Sequence, residues 1–156
     1  MKIIFYHRKK FKTMDQNNKP KGWFWLVAII AFIWNLFGVL AYIGSVTLSP
    51  EELEAMSEAE KTLRESTPSW AVAAFASATC LGFLGSLLLL LRKALAEKVL
   101  IASFLAVLVQ MYFSFFVIDG VELMGNTALI MPIIIILFGI GLIVFARKCT
   151  QLGWLR

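Results

Sequence analysis

An all-α membrane protein, a four-transmembrane-helix bundle with both termini cytoplasmic, is the fold class this sequence predicts, and three observations predict it. Four uncharged apolar runs of spanning length occur in a chain of 156 residues. The segments between those runs alternate sharply in charge. The chain as a whole is 60% hydrophobic and 16% charged, whereas a water-soluble domain needs roughly 25% charged residues to cover its surface.

The runs are 23–46, 69–91, 99–118 and 128–146, and a helix of about 20 residues crosses a hydrocarbon core of ~30 Å. Strands of a membrane barrel alternate in character and need only about ten residues, so runs of this length exclude them. The first run is too long for the apolar part of a cleaved leader, and no convincing small-x-small cleavage site precedes a soluble mature chain, so it reads as a retained anchor.

Taken in order, the chain opens with a basic tail, 1–21. Its start, MKIIFYHRKKFKTM, combines a small apolar cluster with five bases, as a membrane-surface segment would. Alternatively, translation begins at Met14 and 1–13 lie upstream of the natural start. After the first span, the loop 47–68 carries Ser49 three residues before Glu52, with Pro50 between them. That is a capping box with proline at the first helical position, so a helix should begin there. Leu53, Met56, Ala59 and Leu63 fall on one face of it and glutamates on the other, which predicts one short amphipathic helix against the outer surface.

The second span opens after Thr67 and Pro68, and the connection RKALAEK (92–98) leads to the third. Asp119 and Glu122 in the following loop read as a solvated turn. The fourth span is almost wholly Ile, Leu and Val, with Pro132 near its start. Only a mild kink is expected there. Such a span reads as mainly lipid-facing, leaving the first three to form the packed core. The transmembrane domain is thus 22–148, followed by a short tail, 149–156.

Charge sets the expected orientation. The amino-terminal tail, the 92–98 connection and the final tail hold thirteen of the fifteen basic residues, and the opposite side holds Lys61, Arg64 and eight of the ten acids. Positive charge marks the cytoplasmic face, so both termini are expected inside. Trp23, Trp25 and Trp154 would anchor the inner interface, with Tyr42 and Trp70 near the outer one. A net charge of +5 is then explained by topology and lipid headgroups, with no nucleic-acid partner.

Helices in lipid associate through close backbone approach and a few polar contacts. The second span offers Ala74, Ala78, Gly82 and Ser86 every four residues. The first offers Ala31, Asn35, Gly38, Tyr42 and Ser45, and the third Ser103, Ala106, Gln110 and Ser114. Asn35 lies 12 residues beyond Trp23 and Gln110 11 beyond Val99. At about 1.5 Å per residue their amides share a depth near mid-membrane. An Asn35–Gln110 hydrogen bond, supported by Tyr112 or the serines, is the expected solution for two amides in lipid. The alternative is a polar patch of Trp34, Asn35, Gln110, Tyr112 and Ser114 lining a solute cavity, and a third is a contact between subunits.

No Asp, Glu, Lys, Arg or His lies within a span, which argues against proton-coupled transport and voltage sensing. The lone His7 and the two separated cysteines, Cys80 and Cys149, form no metal or disulfide pattern. Neither a catalytic nor a phosphate-binding motif is present, so no catalytic, metal or cofactor residues are expected.

Trp34-Asn35 with Gly38, Pro68-Ser69-Trp70, GFLGSLLLLLRK (82–93) and the terminal Gly153-Trp154-Leu155 together resemble a family of small four-span bacterial inner-membrane proteins. The resemblance covers roughly 21–156. Most members have no assigned activity and some are labelled sugar transporters. It implies a multi-pass protein of the bacterial inner membrane. The leading expectation is a non-enzymatic membrane protein acting through packing or partner contacts, with lipid, a membrane-protein partner or a second copy beside it. The alternative is an oligomeric permease for a small neutral, sugar-like solute.

Overall fold

The computed structural model describes residues 19–117, 125 and 129–156. The segment 1–13 and the Asp119/Glu122 pair lie outside the described residues. Among the described residues six α-helices follow one another: α1 (Gly22–Val46), α2 (Pro50–Ala55), α3 (Glu58–Ser66), α4 (Ser69–Leu90), α5 (Leu95–Tyr112) and α6 (Ile130–Gln151). A π-helical turn, Phe113–Val117, extends α5. Helices α1, α4, α6 and α5 with its π extension are each long and apolar enough to cross a membrane. The chain is a multi-pass helical membrane protein. One end of the bundle carries the start of α1, the α4–α5 turn and the final residues after α6 (the basic end), and the other carries α2 and α3 (the acidic end).

Small residues decide which helices meet closely. Helices α4 and α5 form the tightest pair and α1 packs on the other flank of α4. A side-chain carbon at Gly85 would strike Leu100 of α5, and one at Gly82 would strike both Asn35 of α1 and Ser103 of α5. Gly139 gives α6 the same close approach to Phe104 of α5. These glycines let backbones come near enough for dispersion contacts that lipid alone would not supply. Helices α1 and α6 instead meet through rings: Trp23 and Phe24 on Phe145, and Trp34 on Phe138 at 4.8 Å.

Four sequence expectations need correction. The loop 47–68 holds two helices rather than one, because Ser57 and Glu60 build a second capping box. Met56, extended at φ −67° and ψ 143°, ends α2 just before it. Helix α5 begins four residues earlier than the apolar run, and α6 runs on through Arg147 and Lys148, since a charged side chain bounds an apolar run without ending a helix. Helix α6 is mainly lipid-facing, as expected, but the first three spans do not form the core alone: Leu142, Ala146 and Cys149 of α6 join Phe24, Ala28, Leu89 and Leu100 at the basic end. Trp154 is buried in that same cluster and edge-on to Trp23 and Phe24, so it is a core residue and not a surface anchor.

The basic end is tied by the backbone. Helix α6 closes in a Schellman turn, with Gly153 at φ 72° and Trp154 N–H donating to the Cys149 carbonyl at 2.9 Å. Helix α4 closes the same way, with Lys93 N–H donating to the Leu88 carbonyl at 2.8 Å. Its left-handed residue, however, is Arg92, at φ 57°. A non-glycine residue costs about 1–2 kcal/mol in this region. The final residues offset it: Arg156 N–H donates to the Arg92 carbonyl at 2.7 Å, Ala94 N–H to the Arg156 carbonyl at 2.8 Å, and Arg92 Nε to the Trp154 carbonyl at 2.9 Å.

Candidate functional site

The packed aromatic and aliphatic cluster fills the basic half of the bundle, and above it the helices leave a cavity of about 420 Å³. The opening follows from the ring-mediated α1–α6 contact, which holds those two backbones apart while small residues draw α1 and α5 onto α4. Trp34, Asn35 and Gly38 of α1, Thr79 of α4, Ser103 and Gln110 of α5, and Phe138 of α6 all contribute to the wall. The rest of it is apolar. Phe37 and Met131 form the wall on the lipid side and are themselves 65% and 58% exposed.

Asn35 solves half of its hydrogen-bonding problem locally. Its Nδ2 donates to the Ala31 carbonyl of its own helix at 2.8 Å. Its Oδ1 lies against the bare backbone of Gly82, at the point where α1, α4 and α5 converge. The Asn35–Gln110 bond expected from depth does not form. Both amides line the same cavity, but α1 and α5 pack on two flanks of α4 and not closely on each other, so equal depth does not bring the side chains together. Among the described residues, neither Asn35 Oδ1 nor the Gln110 carboxamide has a hydrogen-bond partner. The polar contact that does join two spans is Ser103 Oγ donating to the Ala78 carbonyl at 2.6 Å. Thr79 bonds within α4, to the Phe75 and Ala76 carbonyls.

The structure divides the remaining sequence-selected residues. Tyr112 is 58% exposed on the lipid side, stacked on Phe116 at 5.6 Å, and does not line the cavity. Ser114 lies in the π turn, donates to the Gln110 carbonyl at 3.2 Å and faces a second chamber nearer the acidic end. Ala78, Gly82 and Ser86 are buried along α4, Ser86 bonding back to the Phe83 carbonyl at 2.9 Å. Ala74 and Ala106 are half-buried, and Gly38 faces Thr79 with room for ordinary contact at 3.6 Å.

Sequence reasoning missed Phe75, which stands in the wall of both chambers with Tyr42 edge-on to it at 5.6 Å. A phenylalanine in a span has no signal of its own. It also missed Arg64, whose Nη1 donates to the Ser45 carbonyl in the last turn of α1 at 2.6 Å. A cation there complements the helix dipole. Comparison with known proteins returned no matching family model, no matching curated protein and no matching solved structure.

Proposed function

We propose that this membrane protein binds a small neutral solute in the mid-bundle cavity, as a permease-type binding site and not as a catalyst. The observation that carries the reading is a cavity of about 420 Å³ in whose wall, among the described residues, Asn35 Oδ1 and the Gln110 carboxamide have no hydrogen-bond partner. Ligand pockets are commonly of this kind, mostly apolar with a few polar groups that set orientation. Groups of this type suit hydroxyl, ether or amide functions on an otherwise apolar molecule. No ionisable side chain lies in the wall among the described residues, which supports a neutral ligand and speaks against acid–base chemistry there. The packed cluster below seals the basic half, so passage through the bundle would need α1 or α6 to move.

Both termini belong on the cytoplasmic side in this reading, on the strength of the charge asymmetry, and a bacterial inner membrane is the proposed setting. A second reading, contact with a protein partner, is favoured by α2, whose Leu53 and glutamates are exposed. The test is thermal stabilisation of the protein in lipid nanodiscs by neutral probes of graded polarity and size: glycerol, erythritol, glucose and cyclohexanol. At least one should stabilise wild type in a saturable way, and Asn35→Leu with Gln110→Leu should abolish the effect. A response to every probe that is indifferent to both leucines, or no response to any, would sink the solute reading.

A further inference from the structure

Beneath α3 lies a second chamber, of about 670 Å³. Its roof exists because the second capping box restarts the chain as a helix at Glu58, and Arg64 then pins α3 to the end of α1 at the Ser45 carbonyl. Thr67, Val72, Phe113 and Ser114 complete its wall. The charges that face it are already engaged at its rim: Glu60 accepts from Ser57 N–H at 2.8 Å and from Ser57 Oγ at 2.7 Å, and Arg64 donates to Ser45. Two residues, Phe75 and Gln110, belong to the walls of both this chamber and the mid-bundle cavity. Phe75 is backed by the edge-on ring of Tyr42. Thr79 lies one helical turn further along α4, inside the cavity.

We propose that the chamber under α3 is a second station for the same neutral solute, through which it reaches the cavity from the aqueous phase at the acidic end, and that Phe75 is the partition between the two. Gln110 is the amide that touches the solute on both sides of that partition. The inference rests on the cavity being a solute site. It replaces a lateral route past Phe37 and Met131, which would suit a lipid-phase molecule, with an aqueous one.

Cysteine reactivity separates the routes. Thr79→Cys is introduced in a Cys80→Ala background, leaving Cys149 in its buried place, and a membrane-impermeant cationic methanethiosulfonate is added from the side that α3 faces. Phe75→Ala should raise the Thr79→Cys reaction rate roughly tenfold, about the change expected from losing one aromatic edge contact in the barrier. Phe75→Trp should lower it. Val72→Cys, in the outer chamber, reports on the fold and should react at one rate in all three backgrounds. A Thr79→Cys rate that ignores residue 75 and follows Phe37→Ala instead would overturn the proposal, as would a rise of both reporters together, which signals a loosened bundle. Should no neutral probe stabilise the wild type while the dependence on residue 75 holds, the solute site fails and the aqueous route stands. The converse pair of results removes the route alone.

Discussion

The pair of amides at Asn35 and Gln110 offers the sharpest test of the cavity. Consider Asn35→Leu, Gln110→Leu and the double variant, unfolded reversibly in bicelles. Were the two side chains bonded to each other, removing either would leave its partner unpaired in an apolar wall. The double change would then cost less than the sum of the singles by about 0.6–1.7 kcal/mol, the range found for interhelical hydrogen bonds in membranes. In this structure each amide faces the cavity alone, and the Asn35 N–H bond goes to a carbonyl of its own helix. The two substitutions should therefore add to within roughly 0.3–0.5 kcal/mol. Each single should stay near wild-type stability, because no buried partner is orphaned. Ser103→Ala serves as the internal standard. Its hydroxyl bridges α5 to the Ala78 carbonyl of α4, so its loss should cost about 0.6 kcal/mol or somewhat more. A coupling of Asn35 to Gln110 as large as the Ser103 effect would refute the separated geometry and restore the direct bond.

Gly82→Val should destabilise the bundle by about 1–3 kcal/mol through overpacking, since its side chain would meet Asn35 and Ser103 together; the same unfolding assay reads it. At the basic end Trp154→Ala empties a buried position beside Trp23 and Phe24, and a loss of about 3 kcal/mol is expected from the void. Arg92→Gly should be milder than Arg92→Ala by about 1 kcal/mol, because glycine accepts the left-handed backbone at Arg92 while both lose the side-chain bond to Trp154. Acid should release the acidic end. Hydrogen bonds from Ser49 hold the Glu52 carboxylate below its ordinary 4.5, and those from Ser57 do the same for Glu60. Each contributes stability that is full above 4.5 and is lost as pH falls through the lower folded value. Circular dichroism of the membrane-embedded protein should lose the α2 and α3 contribution only below that range, and loss near neutrality would contradict the capping assignment.

Much of this architecture is legible in the chain because lipid is an unforgiving solvent for charge and for open backbone. Uncharged runs of spanning length announce the four helices, and the Ser49–Glu52 spacing announces α2 by a local rule. The strip Ala78, Gly82 and Ser86 marks the face of α4 that is buried, since only small side chains permit close approach there. Ser57 carried the same local signal as Ser49, and it splits the loop into the two helices whose second member roofs the outer chamber. What only the tertiary structure decided is who faces whom. Asn35 and Gln110 share a depth, yet the placing of α4 between α1 and α5 turns a presumed bond into two walls of a cavity. Trp154 looks like an interface anchor in sequence, but the backbone bonds of Arg156 to Arg92 and Ala94 fold it into the core. Periodicity ranks residues along one helix, whereas the rotation of helices about each other depends on contacts among residues far apart in the chain, such as Gly82 with Asn35 and Ser103. That is why the spans were readable one by one and the cavity between them was not.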